Sequence, residues 1–286
     1  MGWQVYCLTY ELQSPLHIGC HKVGNVQRTR YYVPARNLWA ACTERLARSG
    51  FTYDSVPQGN YQKIGGWVGE HCVFTYFFPV NENGFLFPNY TSSVLCYGKL
   101  SETEFERRFV WAHATTALDP VSTAASVGSL HEVEFLRPYD NTGRRTRLQG
   151  WVCLDGCGQT ALGGQRWPEW LRDLQIGGER RYGFGRLRLE GEPCAVSSLE
   201  NYTVELQGSR PVIRIAIGKP LWAHAAVRGI KARGMMEPLV GRETKSSARF
   251  GQEVTKAQIC WVPGSVCLSA QRFEIAANGI WEAVKD

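Results

Sequence analysis

The chain has 286 residues, 44% of them hydrophobic and 20% charged, and no segment approaches the run of about 20 apolar residues that spans a bilayer. Its opening Met-Gly-Trp-Gln-Val lacks the basic and apolar regions of a secretory signal, so a cytoplasmic protein without membrane partners is expected. A net charge of +6 suits an RNA-binding protein and many ordinary enzymes alike, so where the charges fall matters more than their sum.

From Gln4 to Leu12, Tyr6, Leu8, Tyr10 and Leu12 alternate on one face, which predicts a half-buried strand ended by Ser14-Pro15. A basic loop from Gly19 to Arg30 follows. Pro34 then opens a helix whose Leu38, Cys42 and Leu46 form an i, i+4, i+8 stripe that stops at Gly50. Cys72–Phe78 and Gly84–Phe87 read as strands around Pro79 and Asn83-Gly84, and Thr103–Arg108 as a short helix. Leu130–Leu136 and Leu148–Leu154 read as the two arms of a hairpin turning at Asn141-Thr142-Gly143. Trp167-Pro168 opens a short helix, a glycine-rich loop follows, and Arg186–Leu189 reads as a strand. This order, strand-helix-strand-strand-helix-strand, specifies a ferredoxin-like sandwich.

The length favours two units. Glu190–Ser198 is the best linker, which divides the chain into residues 1–195 and a smaller second unit, 196–286. In the latter, Tyr202–Leu206, Val212–Ile217, Ala257–Val262 and Val266–Ala270 read as strands around a basic, irregular middle.

The segment from Ile176 to Leu189 holds four glycines and four arginines. Gly177, Gly178, Gly183 and Gly185 let backbone approach a phosphate without Cβ obstruction. Arg180, Arg181 and Arg186 supply charge, and Tyr182 and Phe184 offer rings on which bases stack. It is no nucleotide-binding P-loop, because no Gly-Lys-Ser or Gly-Lys-Thr ends it and it follows a helix. Further basic loop residues are Arg28, Arg30, Arg144, Arg145, Arg147, Arg228, Lys231, Arg233 and Arg242. The ten cysteines are scattered and read as reduced thiols, with Cys7, Cys42 and Cys267 in apolar surroundings. Cys153 and Cys157 have no second pair to complete a zinc set, so neither metal nor cofactor is expected.

Three stretches resemble the RAMP superfamily of CRISPR proteins: Ser14-Pro15-Leu16-His17-Ile18-Gly19, the Tyr32-Val33-Pro34-Ala35 helix entry, and Ile176 to Arg186. Thr116 to Pro120, Gly128 to Leu130, Gly241 to Glu243, Phe250-Gly251 and Pro263 to Val266 extend the likeness over most of the chain. It departs at Ala35, where related helices begin with glycine or a small polar residue. The chain is most similar to the Cas-five-like subunit of type III effector complexes. The resemblance implies an α+β fold of two ferredoxin-like (RRM-like) units with a glycine-rich loop and an inserted hairpin. It implies a noncatalytic role in antiviral defence, capping the 5′ handle of the crRNA. The implied partners are crRNA, target RNA near the guide, the large polymerase-nuclease subunit and the backbone subunits. His17, Gly19, His21 and Lys22 would join the arginines and glycines above in holding RNA.

The superfamily also includes RNA-cutting members. A metal-independent cutter needs a base for the 2′-hydroxyl and a cation for the phosphorane, and His21 with Lys22 offers such a pair. A crRNA-processing endoribonuclease using His21 is therefore the alternative. Asp119, before Pro120, fits a turn or cap better than catalysis, and Glu102, Glu104 and Glu106 read as a solvated face. Trp67, Trp111 and Trp222 are candidates for contacts with neighbouring proteins.

Overall fold

The computed structural model describes residues 2–49, 61–91, 94–159, 166–200, 202–243 and 253–284. The helix stop expected at Gly50 and the pair Phe250-Gly251 lie outside them. None of the described helices is long and apolar enough to cross a membrane.

The first half is built on an antiparallel sheet. Gln4–Leu12 lies between Arg147–Leu154 on one side and Arg186–Leu189 and Cys194–Val196 on the other. Cys72–Phe74 and Phe78–Asn81 pair with the far side of Arg147–Leu154. Taken in chain order, the strands are neighbours as fourth, first, third, second, consistent with a ferredoxin-like sheet. The helix Ala35–Arg48 covers one face with its Leu38, Cys42 and Leu46 stripe buried as the spacing predicts. The second helix of that arrangement is reduced, among the described residues, to the 3-10 turn Trp167–Leu171, whose Leu171 carbonyl accepts from the buried Tyr10 hydroxyl at 2.8 Å.

A helix at Tyr61–His71 is hidden in the sequence by Gly65, Gly66 and Gly69, which are poor helix formers. Packing explains it. A Cβ on Gly65 would stand 2.8 Å from the Trp39 ring, and Trp39 Nε1 donates to the Gly65 carbonyl at 2.8 Å. The short helix expected near Thr103 is Glu102–Phe109, begun by a capping box: Glu104 N–H donates to Ser101 Oγ while Ser101 N–H donates to the Glu104 carboxylate.

The expected hairpin is re-paired. Asn141–Gly143 does turn, with the Asp140 carboxylate accepting from the Thr142 and Arg144 amides, but it joins two different sheets. His131–Leu136 pairs antiparallel with Val110–Thr115 and parallel with Val26–Thr29, which in turn pairs with Gly19–Val23. Arg147–Leu154 instead enters the central sheet. The long hairpin is therefore Val110–Leu136, an arm whose tip runs through residues 116–130. Its first strand is mostly exposed, so no apolar alternation announced it.

Beyond the linker, a seven-stranded sheet runs Thr203–Glu205, Val212–Ile215, Gln271–Ile275, Trp281–Ala283, Ala225–Ala226, Gln258–Trp261, Met236–Leu239. Among the described residues this half holds no helix, so the helices that a second ferredoxin-like unit requires are not seen there. The two halves share one core. Trp222 is buried and stacks on Phe87 with centroids 3.9 Å apart, parallel to Trp151 of the first sheet. The central sheet is thus buried on both faces. Trp222 and Trp67 belong to the interior, while Trp111 is 60% exposed.

A polar chain crosses the same boundary. The buried Tyr76 hydroxyl faces His224 Nδ1 at 2.7 Å, His224 Nε2 meets the Glu237 carboxylate, and Glu237 pairs with Arg30 at 2.7 Å. Burial lowers the basicity of His224, so the neutral ring accepts from Tyr76 and donates to Glu237. Burial opposes the Glu237 charge as well, but hydrogen bonds from His224 and Arg30 outweigh it and hold its pKa at about 2, below the ordinary 4.5. A depressed carboxylate contributes stability above its unfolded pKa and loses it as pH falls toward the folded value. Glu237→Gln is expected to unfold more easily at pH 7 and to show a shallower acid dependence between pH 4.5 and 2, as followed by urea unfolding at each pH.

Candidate nucleic-acid interface

The glycine-rich loop is moored to the segment before Gly19–Val23. Gly178 N–H donates to the His17 carbonyl at 2.8 Å, Gly185 N–H to Pro15 O at 2.7 Å, and Gln13 N–H to Arg186 O at 2.8 Å. Glycine is required where these backbones meet. Gly177 has φ +82° and a Cβ there would stand 2.4 Å from His17 O; Gly185 has φ +78° and its Cβ would stand 1.8 Å from Ile176 O. Gly178 and Gly19 flank the His17 ring, where a Cβ on either would approach it to 3.1–3.2 Å. These glycines therefore make room for protein. Gly183, with φ +86° and open space at its Cβ position, closes the one-turn 3-10 helix Arg180–Tyr182.

His17 is the joint of the region. It is buried, and its Nδ1 lies 2.6 Å from the Glu134 carbonyl of the arm. A carbonyl only accepts, so Nδ1 carries the proton. One residue thereby fastens the first loop, the glycine-rich loop and the arm. Phe184 adds to the contact by meeting Phe135 edge to face at 5.5 Å, which occupies a ring that the sequence suggested for base stacking.

Many of the candidate arginines are occupied within the chain. Arg28 pairs with Glu134 at 3.0 Å and Glu106 at 3.1 Å. The Glu134 carboxylate is buried, which raises its pKa, and it accepts from the Thr29 amide at 3.1 Å. Arg30 binds Glu237, Arg144 pairs with Glu82 at 2.9 Å, and Arg147 reaches Glu190 at 3.4 Å. Arg145 donates to the Leu12 carbonyl and lies over the Tyr139 ring. Arg180 pairs with Glu44 of the long helix. Arg242 lies in the two-residue strand Arg242–Glu243, in the second half.

What remains exposed, with no side-chain partner among the described residues, is a smaller set: Arg228, Lys231 and Arg233 in the second half, and a group around the glycine-rich loop. Arg181, Arg186 and Tyr182 project from the moored loop and the strand after it, with Tyr182 80% exposed. His21 and Lys22 lie on the exposed strand Gly19–Val23. The hydrogen bonds from Gln13 to Gly178 bring the roots of both groups together. Sequence alone could not separate these cations from the paired ones, because the pairing acids are as distant in the chain as Glu237 is from Arg30.

The arm borders this set and differs from it chemically. From Val110 to His131 it carries no lysine or arginine, yet it exposes Trp111, Leu118, Val121, Val127 and Leu130. Asp119 serves its tip: one carboxylate oxygen accepts from the Val121 and Ser122 amides, hydrogen bonds that lower its pKa. His113 is an exposed residue of the first arm strand, and His131 meets Thr115 across it.

One cluster of metal-ligand type occurs among the described residues, at His71, Asp155 and Cys157. Cys153, four residues before Cys157, is buried in the core.

No family model and no curated protein matches the chain. Its fold is similar to that of a chain in the cryo-EM structure of the type III-B Cmr-beta complex bound to cognate target RNA and AMPPnP, state 1. The TM-score is 0.58 at 10% identity, over 91% of this chain and 85% of that one. A chain of the Cmr-beta complex bound to cognate target RNA gives a TM-score of 0.56 at 10% identity, over 91% and 86%.

Replacing Gly185 by alanine forces a Cβ into the Ile176 carbonyl at positive φ. The variant is expected to lose more than about 1 kcal/mol of stability and to lose hydrogen-exchange protection at the Gly178 and Gly185 amides, with the central sheet protected as before.

Proposed function

We propose that the chain is a noncatalytic RNA-binding subunit of a type III CRISPR effector complex, a RAMP-superfamily protein that caps the 5′ handle of the crRNA. The observation that carries this reading is the exposed set His21, Lys22, Arg181, Tyr182 and Arg186, free of partners among the described residues and rooted on two backbones hydrogen-bonded to each other. The shared fold with a chain of a target-RNA-bound type III-B complex supports it, as do the superfamily motifs at Ser14 to Gly19 and Ile176 to Arg186. Single-stranded RNA offers phosphates to cations and flat bases to an exposed ring, and this set supplies both.

On this reading the exposed and the paired residues divide the labour. Arg181, Arg186 and Lys22 contact phosphates, Tyr182 stacks on a base, and His21 donates to a phosphate or ribose oxygen. Arg180, held by Glu44, positions the loop. The arm, bare of cations, reaches past the handle toward the guide paired with target RNA, and Trp111 and the tip valines meet base or protein surface there. The large subunit and the backbone subunits of the complex flank it.

His21 lies beside Lys22 on the exposed strand Gly19–Val23, and on this reading it contacts RNA without cleaving it.

Two measurements test the reading. Arg181→Ala with Arg186→Ala is expected to weaken binding of a 5′-handle RNA and to reduce the slope of log K against log salt by about 1.4, at roughly 0.7 per phosphate contact. Arg180→Ala should leave that slope unchanged, and equal salt slopes in all three proteins would reject the assignment. Incubation of the purified chain with labelled repeat RNA in EDTA is expected to give no cleavage. Specific cleavage that disappears in His21→Ala would establish the endoribonuclease instead.

A further inference from the structure

We propose that His71, Asp155 and Cys157 form a binding site for a zinc-class divalent cation that clips the end of a helix to the central sheet. The three offer a nitrogen, a carboxylate oxygen and a sulfur whose ligating atoms all lie within 4.8 Å of one another. Tetrahedral zinc, with bonds of about 2.0–2.3 Å, holds its donors about 3.3–3.7 Å apart. Binding would replace the His71–Asp155 hydrogen bond and turn the exposed Cys157 side chain toward the ion.

The backbone brings these donors together independently of any ion. Cys72 is the register partner of Leu154, so His71, the last residue of the helix Tyr61–His71, and Asp155, the first after its strand, are set opposite each other. Asp155 N–H donates to the His71 carbonyl at 3.3 Å, and His71 Nδ1 lies 2.8 Å from Asp155 Oδ2. The chain then turns back through Cys157. Asp155 Oδ1 accepts from the Gly158 amide at 2.8 Å, and a Cβ on Gly158 would stand 2.4 Å from His71 O, so only glycine lets the turn lie this close.

The donor set selects the ion. A thiolate with an imidazole suits zinc and its neighbours and disfavours magnesium or calcium, which take oxygen ligands. Binding releases the Cys157 thiol proton, and the imidazole coordinates through one nitrogen while the other keeps its proton. Water completes the shell.

The position is remote from the proposed RNA-contacting set. Gln4 pairs with Leu154 and Glu11 with Arg147, so the cluster sits at the Gln4 end of the sheet and the moored glycine-rich loop at the Leu12 end. Eight strand residues at about 3.3 Å each separate them by roughly 25 Å. The ion would act on stability alone, and the inference does not depend on the proposed function.

The test uses the full chain, reduced, titrated with Co2+ and then Zn2+. One cobalt per chain with a thiolate charge-transfer band, displaced by zinc, is expected in the wild type and in Cys194→Ser, which removes an exposed thiol elsewhere. Cys157→Ser, an exposed position whose loss leaves the core intact, should abolish the band and weaken zinc binding at least tenfold. Zinc should raise the melting temperature of the wild type and leave that of Cys157→Ser unchanged. Absence of the band in the wild type, its persistence in Cys157→Ser, or an equal zinc-induced melting shift in both would overturn the proposal.

Discussion

Everything exposed on the candidate interface hangs from the contact between Gly177, Gly178 and Gly185 and the backbone of Pro15 to His17. Two chain segments that are 160 residues apart approach to hydrogen-bonding distance there, with no side chain between them. The contact is directional and, at Gly177 and Gly185, intolerant of even one methyl group, which fixes the course of the loop. His17 extends the same constraint into the arm through the Glu134 carbonyl. Cations projecting from such a frame lose little freedom on meeting a ligand, because the backbone beneath them is already ordered.

The second organising feature is the sharing of one interior by two differently built halves. The central sheet is covered by the long helix on one side and by Phe87 and Trp222 on the other, so neither half can leave without exposing aromatic surface. The polar chain from Tyr76 through His224 and Glu237 to Arg30 fixes how the halves meet, because its two outer links, Tyr76 to His224 and Arg30 to Glu237, form only across the boundary. The apolar cluster runs without a break past the linker expected at Glu190–Ser198. Among the described residues the architecture changes at that point, from sheet with helices to sheet without them.

Much of the first half was legible because local rules and tertiary context agree there. The Leu38, Cys42, Leu46 stripe, the buried Leu8, Tyr10 and Leu12 of the first strand and the strand Arg186–Leu189 appear where their periodicity places them, while the fully buried Val5 and half-buried Tyr6 break the alternation. Failures came where context overrides propensity. The helix Tyr61–His71 carries Gly65 because Trp39 needs the space, and nothing in the packing requires glycine at Gly66. Leu130–Leu136 was located well but given the wrong partner, since a strand's sequence reports its burial and leaves its neighbour unstated. At the candidate interface the residue types were visible and their availability was not. The space at Gly177 and Gly178 is taken by His17 and that at Gly185 by the Ile176 carbonyl, while Gly183 stays open, and arginines such as Arg30 and Arg180 are neutralised by acids from other elements. The spacing of Cys153 and Cys157 suggests a pair, but Cys153 is buried, and Cys157 instead meets Asp155, two residues before it, and His71, which a strand pairing brings in from across the sheet.

The contrast between the arm and the loop beside it has a consequence for how a bound molecule is released. Counterions compete with arginine and lysine for phosphate, so added electrolyte loosens a hold made of charge. They do not compete with valine or tryptophan, and strongly hydrated anions such as sulfate tighten apolar contacts. A molecule gripped at both places would detach in two stages, from the loop in moderate salt and from the arm only under conditions that disrupt apolar association.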